Sequence, residues 1–229
     1  MRADAIIAID GPASSGKTTL GRKLAGHLGY LFFDSGVMYR AVAYAALQRQ
    51  INVHDEAAIS RLAESIRIDV AAPSRKDGRD HDLLVDGQDV TWEVFTPEVD
   101  RCVSIVAAYP AVRAALSAQQ RRIGRGGRVV MVGRDIGTVV LPEADLKIYL
   151  DAAAEERAGR RYRERLARGE SIGYDDILET ILNRDAIDSS REVAPLMPAA
   201  DAILLNSDEL SVEEVFAIAI RLLERPEIG

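Results

Sequence analysis

Residues 5–18 read AIIAIDGPASSGKT: a short apolar run, a loop bounded by Gly11 and Gly16, then Lys17 and Thr18. The spacing fits G-x-x-x-x-G-K-[ST], the phosphate-binding loop of chains that use nucleoside triphosphates. Such a loop turns backbone N–H groups inward around phosphate oxygens, and Gly11 and Gly16 allow the tight, open conformation this needs. Pro12, Ala13, Ser14 and Ser15 fill the turn, and Thr19 follows it. Lys17, expected in a loop that solvent reaches, brings a mobile charge to the β- and γ-phosphates, and the Thr18 hydroxyl suits Mg²⁺. A helix beginning near Lys17 points its positive end at the same anions. Strand, loop and helix signals in this order predict a chain that binds a nucleoside triphosphate.

The 229 residues, with a formal net charge of −7 and a single cysteine, fit one sizeable domain or a core with a smaller insertion. The acidic balance argues against nucleic-acid or anionic-membrane partners. Cys102 has no partner for an internal disulfide and reads as a small core side chain in a helix over 99–108. No segment approaches the roughly 18 apolar residues of a membrane span, and the run before Asp10 is too short for a signal peptide. A cytoplasmic, globular protein is expected.

Strand and helix signals alternate along the chain. Ala5–Ile9 has the length of a buried parallel strand. Leu20, Leu24 and Leu28 mark the inner stripe of a helix that Gly29 ends. Leu31–Phe33 reads as a strand and Gly36–Gln50 as a helix. Further strands are expected at Arg128–Val132, Leu146–Leu150 and Ala202–Leu205, with helices at about 153–168, 175–190 and 211–224. Ser211 and Glu214 form a capping box at the start of the last. The pattern predicts an α/β fold, a doubly wound parallel sheet with helices on both faces. Short alternating runs at Ile66–Ala72, Asp82–Val85 and Asp89–Thr91, separated by Lys76–Asp80 and Asp86-Gly87, predict a small antiparallel insertion over about 63–95. Two helices divided at Pro110 follow between Pro97 and Arg122.

Four polar clusters bear on the acceptor. Asp34-Ser35-Gly36-Val37-Met38-Tyr39-Arg40 and Gly133-Arg134-Asp135-Ile136-Gly137-Thr138 each follow a strand, where ligands sit in a doubly wound sheet. An arginine-rich helix carries Arg157, Arg160, Arg161, Arg163, Arg165 and Arg168; with Glu155, Glu156, Glu164 and Glu170 it also reads as an exposed, salt-bridged face. Arg184, Asp188 and Arg191 share one face if their helix continues that far, and equally form an ion-pair ladder. Asp135, at a strand end, reads as the carboxylate that organises Mg²⁺ in many phosphate-loop proteins, a role with which Arg134 beside it fits less comfortably. His27, His54 and His81 lack ligand spacing and read as surface or core residues.

Together DSGVMYR, GRDIGT, the R-D-x-x-D-x-x-R run at Arg184–Arg191 and the following VAPLMPAADA resemble bacterial cytidylate kinase in order and spacing over nearly the whole chain. That resemblance implies a phosphate-loop kinase core over 1–36 and 105–229, a short helical lid over about 154–172, and a nucleoside-monophosphate-binding region over 37–104. It implies ATP-dependent phosphorylation of CMP and dCMP by a monomer, with Mg²⁺ on Thr18 and otherwise on phosphates and water. By the same resemblance Ser35, Arg40, Arg134 and Arg191 hold the acceptor phosphate. Ser104, Arg113 and Asp135 surround cytosine, Arg184 and Asp188 meet the ribose side, and Arg160 and Arg161 belong to the lid. Phe95 departs from the family's usual arginine, which puts one acceptor-side contact in doubt, and Asn206 stands where aspartate is common.

The chemistry agrees. A monophosphate's second pKa of about 6 leaves its oxygen largely deprotonated at neutral pH, so no general base is needed. Two polyanions must instead be brought together, against about 4 kcal/mol for each pair of unit charges at 4 Å and an effective dielectric of 20. Lys17 and the planar forks of Arg134, Arg160, Arg161 and Arg191 would supply the compensating charge. Cytosine offers an N4 amine that Asp135 can accept, where uracil presents a carbonyl. A hydroxyl-phosphorylating kinase would not need the antiparallel insertion, and a GTPase would carry N-K-x-D.

Overall fold

The computed structural model describes residues 4–208 and 210–223. Strand β1 (Ile6–Asp10) leads through the glycine loop into α1 (Lys17–Leu28); β2 (Leu31–Asp34) leads into α2 (Gly36–Gln48) and α3 (Glu56–Ser65). Three short strands follow, β3 (Ile68–Ala71), β4 (Asp82–Val85) and β5 (Gln88–Asp89), then α4 (Pro97–Ala108) and α5 (Pro110–Gly124). The described chain continues with β6 (Val129–Gly133), β7 (Leu146–Asp151), α6 (Ala154–Ala167), α7 (Tyr174–Ser189), β8 (Ile203–Asn206) and α8 (Val212–Leu223).

β1, β2, β6, β7 and β8 form one parallel sheet in the order β2-β6-β1-β7-β8. The inner strands β1 and β6 are buried on both faces because helices cover both, whereas edge strand β8 leaves Leu204 exposed. Ile7, Ile9, Phe32, Val130 and Val132 point to the face covered by α1 and α8, where they meet Leu20, Leu24, Val215 and Leu222. Ala8, Phe33, Val129 and Met131 point to the other, against Met38 and Val42 of α2 and Leu116 of α5. β3, β4 and β5 form the separate antiparallel sheet. The β4–β5 turn is Asp86-Gly87, both residues at positive φ (51° and 84°), as a two-residue hairpin of this handedness requires. Ile68, Val70, Leu83 and Val85 bury into the same cluster as α2 and α5, which fixes this sheet to the core.

Boundaries follow local chemistry. Gly29, at φ 65°, ends α1 with its N–H on the Ala25 carbonyl. The Ser211 hydroxyl and the Glu214 carboxylate exchange hydrogen bonds with each other's backbone N–H (3.3 and 2.8 Å), completing the capping box; residue 224, the expected end of that helix, lies outside the described residues. Proline at the first position of α5 marks a 98° bend from α4. Helix α3 escaped the sequence reading, although Asp55 caps it through the Ala58 N–H (3.0 Å) and Ile59 and Leu62 are buried. The antiparallel strands accordingly begin at Ile68, and residues 63–65 close α3. Among the described residues no single helix is long and apolar enough to cross a membrane.

Candidate active site

The phosphate loop joins β1 to α1 in a conformation its residues dictate. A Cβ on Gly11, at φ 146°, would lie 2.1 Å from the Leu150 carbonyl oxygen of the adjacent strand, so only glycine fits. Gly16, at φ 97°, opens α1, and Lys17 is the helix's first residue. Lys17 is therefore buried, at 6% exposure, rather than on a loop reached by solvent. Its ammonium donates to the Pro12 carbonyl (2.5 Å) and lies 3.4 Å from Ser15 Oγ. Burial, and then the charge of Arg134, pull its pKa well below that of a free lysine. Thr18 Oγ1 donates to Asp34 Oδ2 (3.3 Å), whose other oxygen accepts from the Gly36 N–H.

Asp10, the last residue of β1, is a site residue the sequence reading passed over. Its buried carboxylate accepts from the N–H groups of Ile136 (2.8 Å) and Gly137 (2.7 Å), tying the G-R-D-I-G segment to the base of the phosphate loop. Burial raises its pKa to about 6 against the opposing pull of those two bonds. Gly133 leaves room for its neighbours here, since a Cβ would stand 2.6 Å from Ser35 Oγ and 2.7 Å from Ile136 Cδ1 and force those side chains to move. Ser35, also buried, thereby comes close to the start of the segment.

Asp188, 2% exposed, organises three arginines. Arg134 Nε donates to its Oδ2 (2.9 Å), Arg191 donates to its Oδ1, and Arg184 Nε stands 4.0 Å away. Helix α7 stops at Ser189, so Arg191 reaches Asp188 from beyond the helix end and the expected continuous face is cut short. Deeper in, Arg113 donates to Asp135 Oδ2 (2.8 Å), with both side chains buried. The Arg113 guanidinium lies 5.7 Å from the centre of the Tyr39 ring, and burial pushes that phenol up to about 12. Burial also raises the Asp135 pKa, with Arg113 opposing it.

Most of these groups line a polar cavity of about 440 Å³ on one flank of the loop, walled by Lys17, Thr18, Asp34, Ser35, Arg40, Arg134, Asp135, Arg161, Arg184, Asp188 and Arg191. A second cavity of about 450 Å³, mostly apolar, opens on the loop's other flank beside Ser15, Gly16, Thr19, Leu150 and Val215. A family model for cytidylate kinase matches residues 7–225. The chain belongs to the cytidylate kinase family. It is 50% identical over 217 residues to the cytidylate kinase of Herpetosiphon aurantiacus (95% of this chain, 93% of that one). It is 51% identical over 227 residues to that of Roseiflexus castenholzii (98% and 96%) and 43% over 221 residues to that of Bacillus subtilis (96% of each).

Of the residues that the resemblance assigns to the acceptor and the lid, most line the polar cavity and three stand elsewhere. Ser104 is exposed on α4, outside the cavity wall to which that helix contributes Ala107. Arg113 stands behind Asp135 rather than in the wall. Arg160 faces the second cavity, where it donates to Ser207 Oγ (3.0 Å) and to Glu156 (3.1 Å). Arg157, named only as one of the helix's arginines, is the buried anchor of α6. It pairs with Asp185 (2.6 Å) and reaches the Ala13 carbonyl of the phosphate loop (3.3 Å). Arg163, Arg165 and Arg168 pair with neighbouring glutamates, as a salt-bridged helix face does. Asp80 and His81, from the long β3–β4 connection, also reach the polar cavity; Asp80 binds Arg22 through both oxygens (2.7 and 2.6 Å). No local motif marks them, because only the packing of the antiparallel sheet brings that connection to α1.

Proposed function

We propose that this chain transfers the γ-phosphoryl group of ATP to CMP, and to dCMP, as a monomer. The observation that carries the reading is the convergence of Lys17, Arg134, Arg161, Arg184 and Arg191 on one cavity whose wall also includes Asp135, backed by Arg113. The cations match a reaction between two phosphates, and the buried carboxylate matches a base with an exocyclic amine.

An acceptor phosphate oxygen forms the new bond to the γ-phosphorus as the bond to the β-bridging oxygen breaks, and ADP departs with that oxygen. The phosphate-loop backbone and Lys17 hold the donor β- and γ-phosphates. Ser35, Arg40, Arg134 and Arg191 hold the acceptor phosphate and spread its charge. Asp188 keeps Arg134 and Arg191 aimed into the cavity, and a ribose contact from it or Arg184 is compatible with that task. Arg161 reaches the transferred group, while Arg160 serves the donor side beside the apolar cavity, where the donor base finds its contacts. Residues 37–104 form the acceptor-binding region and 154–172 the lid, whose closure excludes water that would hydrolyse ATP. Thr18 Oγ1 and the adjacent Asp34 carboxylate are hard oxygen donors of the kind Mg²⁺ takes. When bound, that ion neutralises charge on the β- and γ-phosphates. Asp34 fits this task better than Asp135, whose buried partner is Arg113. The resulting assignment for Asp135 is the cytosine amine.

A coupled assay of ADP release with ATP and a panel of monophosphates tests the reading. CMP-dependent turnover well above that with AMP, GMP or UMP is expected; equal or absent turnover with CMP overturns it.

A further inference from the structure

Arg40 is the arginine that α2 contributes to the cavity, and a single short segment cradles it. Its Nη1 donates to the Val94 carbonyl (3.2 Å) and pairs with Asp100 Oδ1 (2.6 Å). Its guanidinium carbon lies 5.1 Å from the centre of the Phe95 ring. Phe95 is half exposed and lines the polar cavity beside Arg40. A half-exposed phenylalanine is ordinary in itself; what sets this one apart is the cation held over its ring in the wall of the cavity.

The three contacts differ in what they leave free. The carbonyl and the carboxylate both use Nη1, whereas the Phe95 ring attracts the cation without taking a hydrogen bond from it. A cation held this way keeps its Nε–Nη2 edge available for bidentate binding of a phosphate. Asp100, by contrast, competes with any incoming anion. We propose that Phe95 is a positioning residue for the acceptor: its π face holds the Arg40 guanidinium toward the acceptor phosphate, where relatives are expected to carry a further arginine. This rests on the assignment of Arg40 to that phosphate. Phe95 adds no charge of its own, so its contribution falls on binding the acceptor rather than on the transfer step.

The test measures KM and kcat for CMP and for ATP in Phe95→Ala, Phe95→Leu and Phe95→Trp, with Arg40→Ala and the Arg40→Ala/Phe95→Ala pair alongside. Loss of a partly exposed cation–π contact is expected to raise the KM for CMP about two- to fivefold in the Ala and Leu variants. Neither kcat nor the KM for ATP should move by as much. Phe95→Trp, which keeps a π face, should restore the KM, and Phe95→Ala should add nothing in the Arg40→Ala background. If Arg40→Ala raises the KM for CMP while Phe95→Ala does not, or if Phe95→Leu behaves as wild type, the positioning role is refuted and the phosphate assignment stands. An unchanged KM for CMP in Arg40→Ala overturns the assignment itself, and the proposal with it.

Discussion

Replacing Asp188 with asparagine isolates the role of the carboxylate on which the site's arginines converge. Both of its oxygens are engaged, Oδ2 by Arg134 and Oδ1 by Arg191, with Arg184 at 4.0 Å. Asparagine keeps the shape but cancels the charge and offers one acceptor oxygen instead of two. The guanidinium groups are then left to repel one another around a neutral amide. Removing one partner of a fully buried pair destabilises by about 3–5 kcal/mol. The side chains of Arg134 and Arg191 are 19% and 21% exposed, so water screens part of the loss, and about 2–3 kcal/mol is expected. For a chain of this size that lowers Tm by about 5–10 °C. With the two arginines released, kcat/KM should fall about 10–100-fold, equivalent to about 1.4–2.7 kcal/mol of transition-state stabilisation. Thermal melts and parallel kinetics with CMP and dCMP supply the readouts. An organiser of arginines predicts a loss with both acceptors, because neither phosphate is held correctly. A contact to the ribose 2′-hydroxyl adds a further loss with CMP alone. An unchanged Tm together with wild-type kcat/KM for dCMP would refute the organising role and leave Asp188 as a ribose contact only.

Three other substitutions probe separate parts of the site. Asp135→Asn should cost CMP about 1–3 kcal/mol in kcat/KM while UMP loses less or gains, since an amide can turn its NH₂ toward O4; an unchanged CMP/UMP ratio with rescue by extra Mg²⁺ would place this carboxylate on the metal instead. Lys17→Ala should lower kcat by about 100-fold or more; turnover near wild type would dismiss the phosphate-loop mechanism. Asp10→Asn tests the raised pKa of about 6. A carboxyl whose folded pKa exceeds its unfolded value binds the proton more tightly when folded. Wild type should therefore gain stability relative to the variant, by about 2–3 kcal/mol, as pH falls from 7 to 4; a difference that stays flat over that range contradicts the shift.

The loop Gly11–Thr18, the helix stripe ending at Gly29, the Asp86-Gly87 hairpin and the Ser211–Glu214 capping box were all legible in the sequence. Each depends on interactions between residues a few positions apart: φ values open only to glycine, side chains that meet N–H groups three residues on, apolar residues at the helical period. The family resemblance was legible for the same reason, as short strings fixed at strand ends. What could not be read were the partners of long separation. Asp10 meets Ile136 and Gly137, Arg157 meets Asp185, Asp80 meets Arg22, and Asp188 gathers Arg134 from another strand's end. Lys17 looked solvated because a loop motif says nothing of what packs over it, and Phe95 looked like a lost charge until Arg40 was seen across its face. Chain-local rules set the elements and the phosphate loop. Which charges face each other, and so which pKa values move and which arginines are held ready, was decided only when the parallel sheet placed the ends of β1, β2 and β6 side by side and packing removed the water between them.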